Sequence, residues 1–170
     1  MLNLKAFAAA LLGFAAPFTA AVAQAQANKA ADNLDEKESF AYVLTIDKID
    51  KLTNVRKTLG EWLDANEQVS NRMDHDKSVN EGTFSRRARA LDLKYPEVAA
   101  IIHKEGVSTL ECLLANHVLL KAFMFVEAKK RGELRDYSTA GRDVNPANLR
   151  FVEQHWNEIR KSMQDIRLKK

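Results

Sequence analysis

One cysteine, Cys112, is all that 170 residues contain, and a lone cysteine excludes an internal disulfide. Proline and glycine are scarce, three and six residues, so punctuation of the chain is sparse and each instance is informative. Neither charge sign dominates, with 26 basic against 23 acidic residues. Lys5 is the only charged residue ahead of Ala25, so cleavage of an export signal leaves 25 basic residues and a formal charge of +2. A nucleic-acid partner would need basic residues gathered on one surface, and none is expected. The mild concentrations are Lys129-Lys130-Arg131 and the set Arg160, Lys161, Arg167, Lys169 and Lys170. The first of these complements the negative end of a helix dipole.

Catalytic signatures are missing too. No G-x-S-x-G, G-x-x-x-x-G-K-[ST], G-x-G-x-x-G or H-E-x-x-H occurs, and the carboxylates alternate with lysines instead of converging. The absence of C-x-x-C-H excludes a c-type haem attached through that motif. Alternating strand patterns, internal repeats and low-complexity tracts are likewise absent.

What the chain has at its start is a short basic segment, Met1 to Lys5, then a small or apolar run from Ala6 to Ala21 broken by Gly13, Pro17 and Thr19. Overlapping A-x-A sites follow, so residues 1–25 read as a signal peptide cleaved after Ala23, Ala25 or Ala27. The expected location is periplasmic or secreted. Residues 26–44, polar from Asn28 to Ser39, read as a flexible leader, and residues 45–170 as a single helical domain.

Within that domain, Thr45 is expected to cap a helix carrying Ile46, Ile49, Leu52, Val55, Leu59 and Leu63 at three- and four-residue steps, with Asp47 and Lys51 on its outer face. The period is lost from Ala65 to Gly82, which reads as a loop or a frayed helix end. Phe84, Ala88 and Leu91 restore it until Tyr95-Pro96, and Pro96 opens a short helix that ends at Gly106. Ser108-Thr109-Leu110-Glu111 has the form of a capping box. The helix it starts is apolar on nearly every side to about Arg131, with Thr109, Asn116 and Glu127 as its polar strip. Asn116, His117, Lys121 and Glu127 interrupt it, which favours a core helix over a membrane span. Glu133 to Val144 reads as a loop, and Asn145-Pro146 opens a last helix with Leu149, Val152, Trp156, Ile159, Met163 and Ile166 on one stripe. The expected fold is all-α, a small bundle of four or five helices around a central apolar helix over about 108–131.

Candidate ligands are few. Met73-Asp74-His75-Asp76 is the densest donor cluster, making His75, Asp74 and Asp76 candidates for a metal, and His117 in the apolar helix is a candidate for metal or haem within the bundle. No two of the four histidines share a helix-face spacing, and the reading expects no cofactor. Cys112, beside Leu113 and Leu114, is expected to be buried.

Tyr95-Pro96-Glu97-Val98, the Gly106-Val107-Ser108 turn and the stretch from Asn145 to Val152 resemble a group of small exported bacterial helical proteins with no assigned function. Leu44-Thr45-Ile46-Asp47-Lys48 is similar to the Leu-Thr-x-x-Gln motif of the Spy and CpxP periplasmic stress chaperones, with Lys48 in place of the glutamine. The expected function is that of an exported, non-enzymatic helical protein that binds a protein or peptide partner. A Spy-like chaperone and a metal or haem binder are the alternatives.

Overall fold

The computed structural model describes residues 35–134, 136–137 and 144–165. The signal peptide, its cleavage sites, the start of the leader, most of the loop before Val144 and the end of the chain with Ile166 lie outside the described residues. Among the described residues every regular element is a helix.

A helical segment over 35–41 precedes α1 (Ile46–Ala65), α2 (Glu67–His75), α3 (Lys77–Asn80), α4 (Phe84–Lys94), α5 (Pro96–Lys104), α6 (Thr109–Lys130), α7 (Pro146–Gln154) and α8 (Trp156–Asp165). Side-chain caps begin five of them, Asp76 of α3 among them. Thr45 accepts from the Lys48 amide, Thr83 from Arg86, Ser108 from Glu111 and Asn145 from Ala147, each satisfying an amide that the first turn leaves without a partner. Pro96 and Pro146 occupy first-turn positions, where a missing N–H costs nothing. Gly106, at φ 72°, ends α5 in the left-handed region that a side chain disfavours.

Helix α6 is the centre. It packs most extensively against α4 and α7, and also meets α1 and α5. Leu113, Val118, Leu119, Ala122 and Val126 are nearly or fully enclosed. By length and composition α6 is long and apolar enough to cross a membrane, and 61% of its most apolar window is buried inside the protein. Fully burying a side chain of this kind contributes roughly 1.5–3 kcal/mol, so enclosure of this helix is a large contribution to the stability of the core.

Four features depart from the sequence-based expectation. The stretch from Ala65 to Gly82 is not a loop: it holds α2 and α3. Asn66 closes α1 by donating to the Trp62 carbonyl at 2.7 Å, and Asp76 caps α3. These two helices bury one apolar side chain each, Met73 and Val79, which is too few for a visible period. The leader ends earlier than Leu44, because the Asp35 carboxylate accepts from the Phe84 amide at 3.1 Å, and Ser39 and Leu44 are buried. The last helix is broken at His155, whose φ of −102° and ψ of 23° separate α7 from α8. Thr109 and Asn116 do not form a solvated strip, since each is 1% exposed. The outward side of α6 instead carries His117, Leu120, Lys121 and Met124, of which Met124 is the most exposed.

Candidate binding site at a half-buried arginine

The burial of Asn116 has a partner on α1. Arg56 reaches across with Nε donating to Asn116 Oδ1 at 3.0 Å, Nη2 donating to the same oxygen, and Nη1 donating to the Met163 sulfur of α8 at 3.0 Å. One turn earlier, the hydroxyls of Thr53 and Ser162 lie 2.8 Å apart, so α1 and α8 are joined by two polar contacts. The α1 stripe that buries Leu52, Val55 and Leu59 toward the core brings Arg56 to the flank of α6.

The described partners of the guanidinium are neutral. Among the described residues no carboxylate lies within ion-pair distance of Arg56; its acceptors are a neutral amide oxygen and a thioether, a weak acceptor. Burial pulls its pKa down from 12.5 to about 10, so the charge persists at neutral pH. Cys112, one turn before Asn116 on α6, is the group whose charge acts on it. That thiol is itself buried, and burial pushes it up to about 11 against the pull of Arg56, so at neutral pH it is not an anion. Glu111 is engaged elsewhere, accepting from the Tyr42 hydroxyl at 3.3 Å. A half-buried cation whose described partners are neutral keeps capacity for a negative charge, so this arrangement suits a site completed by an anion.

The residues singled out by the sequence do not meet. Among the described residues no three His, Cys, Asp or Glu side chains gather in a way that holds a metal. Met73 points into the core, and His75 turns back to the Asn71 carbonyl at 2.8 Å. Asp76 is a structural hub: it accepts from the Ser78 amide and hydroxyl, from Lys94 at 3.0 Å and from the Tyr95 hydroxyl. The Ser78 and Lys94 contacts hold its carboxyl down at about 2. Asp74 Oδ1 and Asn80 Oδ1 are buried acceptors without a hydrogen-bond partner among the described residues, and burial raises the Asp74 pKa.

His117 lies apart from all of these, packed edge-on against Phe84 with ring centroids 5.0 Å apart. Burial pulls its imidazole down to about 4, with Lys121 and Arg87 adding repulsion, which favours the neutral ring. The unfolded chain binds a proton near pH 6.5 that the folded chain refuses until about pH 4, so stability falls as pH drops through that window. Urea titrations at pH 7 and pH 4.5 should differ by about 2 kcal/mol from this group, and His117→Gln should flatten that difference. An unchanged pH dependence in the variant contradicts the assignment.

Sequence reasoning missed Arg56. It sits on a helix face where charged residues are ordinary, and only the polar residue Asn116 in an apolar helix hinted that something across the interface needed an acceptor. No protein-family model, curated protein or solved structure matches this chain.

Proposed function

We propose that this chain is exported through a cleavable signal and acts outside the cytoplasm as a non-enzymatic binding protein, a small helical bundle that recognises an anionic ligand through Arg56. The observation that carries this reading is a half-buried guanidinium that, among the described residues, faces an amide oxygen and a thioether in place of a carboxylate. A protein selected only for stability would gain by an apolar pair at such a position. A binding protein keeps the cation because the ligand supplies the missing charge. The basic start, the apolar run and the A-x-A sites support export. The burial of Cys112 keeps its thiol inert in an oxidising compartment.

Fractionation of cells making the full chain tests the export half. The expected product is in the periplasm or the medium, shortened after Ala23, Ala25 or Ala27; full-length chain in the cytoplasm or membrane contradicts it. For the binding half, thermal melts in a panel of oxyanions at matched ionic strength should show at least one that raises the melting temperature of the wild type and not of Arg56→Gln.

A further inference from the structure

A second cluster, sharing no residue with the Arg56 site, brings together donor atoms from three helices. Asp92 lies in the last turn of α4, His103 in the last turn of α5 and Thr109 at the start of α6. The turn through Gly106 joins α5 to α6 and leaves His103 and Thr109, six residues apart, in contact. Thr109 Oγ1 lies 2.5 Å from Asp92 Oδ1 and 3.2 Å from His103 Nε2, and that nitrogen is 3.8 Å from the carboxylate oxygen.

Counting protons fixes the roles. A hydroxyl has one proton and an ionised carboxylate has none, so Thr109 donates to Asp92 and can only accept from the imidazole. His103 therefore carries a proton on Nε2. Thr109 is 1% exposed and holds the centre of the cluster in place, whereas the side chains of Asp92 and His103 are 44% and 51% exposed and leave one side open to water.

The same spacing fits a metal ion. For donors separated by 2.5, 3.2 and 3.8 Å, a single point can lie about 2 Å from all three, the usual bond length of a first-row divalent ion to imidazole nitrogen and carboxylate oxygen. An imidazole beside two oxygens is a mixed set that such ions accept, while Mg(II) and Ca(II) favour oxygen alone. Asp92 supplies negative charge, and two helix ends, those of α4 and α5, turn their carbonyls toward a cation against the one helix start at Thr109. Two strong donors and a weak one make an open site, in keeping with the absence of three His, Cys, Asp or Glu side chains together among the described residues.

We infer that Asp92, His103 and Thr109 form a site for a first-row divalent metal ion, with water completing its coordination. On binding, the ring proton moves from Nε2 to Nδ1, Nε2 bonds the ion, and the Thr109 hydroxyl keeps its proton and binds as a neutral donor.

Titration calorimetry of the untagged exported protein with Zn(II), Mg(II) and Ca(II) tests it. Zn(II) should bind saturably, one ion per chain, and about tenfold or more tighter than Mg(II) or Ca(II). His103→Gln and Asp92→Asn should each weaken Zn(II) by about tenfold or more, with Thr109→Ser, which keeps the hydroxyl, staying within about twofold. His155→Gln is the control, because His155 and Glu158 are another imidazole and carboxylate pair, 3.2 Å apart, on one helix turn without a third donor. It should leave the affinity within about twofold of the wild type. Zn(II) should also raise the melting temperature of the wild type and of neither His103→Gln nor Asp92→Asn. Should either variant melt early without metal, the 15N resonance of His103 Nε2 in the wild type decides, and it should move along a saturating curve with Zn(II).

Absence of saturable Zn(II) binding, or an Nε2 resonance that stays still while Zn(II) binds, overturns the inference. So does binding that survives His103→Gln and Asp92→Asn, binding lost in His155→Gln, or Mg(II) or Ca(II) binding more tightly than Zn(II). None of these results bears on Arg56, which the oxyanion panel tests separately.

Discussion

Replacing Arg56 by Met and Asn116 by Leu together is expected to raise the stability of the protein, by about 1–3 kcal/mol. Asn116 is buried and Arg56 half-buried, the charge is unbalanced among the described residues, and the arginine's hydrogen bonds end on one amide oxygen and one sulfur. Two apolar side chains of similar volume remove the desolvation of the guanidinium and the need to satisfy Asn116, and they add apolar contact between α1 and α6. At roughly 3–5 °C per kcal/mol for a domain of this size, the melting temperature should rise by about 3–15 °C. The single changes should go the other way. Asn116→Leu strands the cation with only the Met163 thioether and should cost about 3–5 kcal/mol, the largest loss in the set. Arg56→Met removes a partner from the Asn116 oxygen and should cost about 1–3 kcal/mol. A double variant less stable than both singles would mean that the pair exists to hold the fold together. The large coupling expected instead is what a pair kept for another purpose gives.

Asn148→Ala is expected to lose about 2–4 kcal/mol, through a different mechanism. Asn148 on α7 is fully buried, its Oδ1 accepting from the Leu44 amide at 2.9 Å and its Nδ2 donating to the Tyr42 carbonyl at 2.7 Å. One side chain therefore satisfies both backbone groups of an extended segment, in the way a neighbouring strand would. Truncation orphans both groups and frees the segment that carries Leu44 into the core. Urea denaturation should show a lower midpoint with an unchanged slope, and hydrogen exchange at the Leu44 amide should accelerate by about a hundredfold or more, as a local loss of ~3 kcal/mol implies. Exchange that stays slow contradicts the bridging role.

Much of this architecture was legible from local signals. Thr45, Ser108 and Asn145 begin helices because short polar side chains reach the amides ahead of them, and Pro96, Pro146 and Gly106 mark ends for reasons contained in one or two residues. The near-continuous apolar surface of α6 announced a core helix by its composition. What stayed hidden depends on partners distant in the chain. Asp35 reads as part of a solvated leader until Phe84 offers it an amide 49 residues on. Asp76 reads as a metal ligand until Lys94 and Tyr95 arrive. The break at His155 leaves the apolar stripe of the last helix in register, so periodicity passes through it unchanged.

The candidate site was the least legible part, for a physical reason. A charged residue on an amphipathic helix is solvated by default, and Arg56 becomes exceptional only because Asn116 and Met163, 60 and 107 residues further along, close on it without a carboxylate. Asn116 was visible as an anomaly in an apolar helix, yet a polar residue there fits an exposed strip as readily as a buried acceptor. The distinction rests on which side of α6 meets α1, a matter of tertiary packing.

The most direct measurement is a titration of the wild-type protein with oxyanions, followed at the side-chain Nε–H of Arg56 by 15N nuclear magnetic resonance. At least one carboxylate, phosphate or sulfate should move that resonance along a saturating curve while the amides of α2 and α3 stay still. A resonance that holds its position through the whole panel contradicts the account.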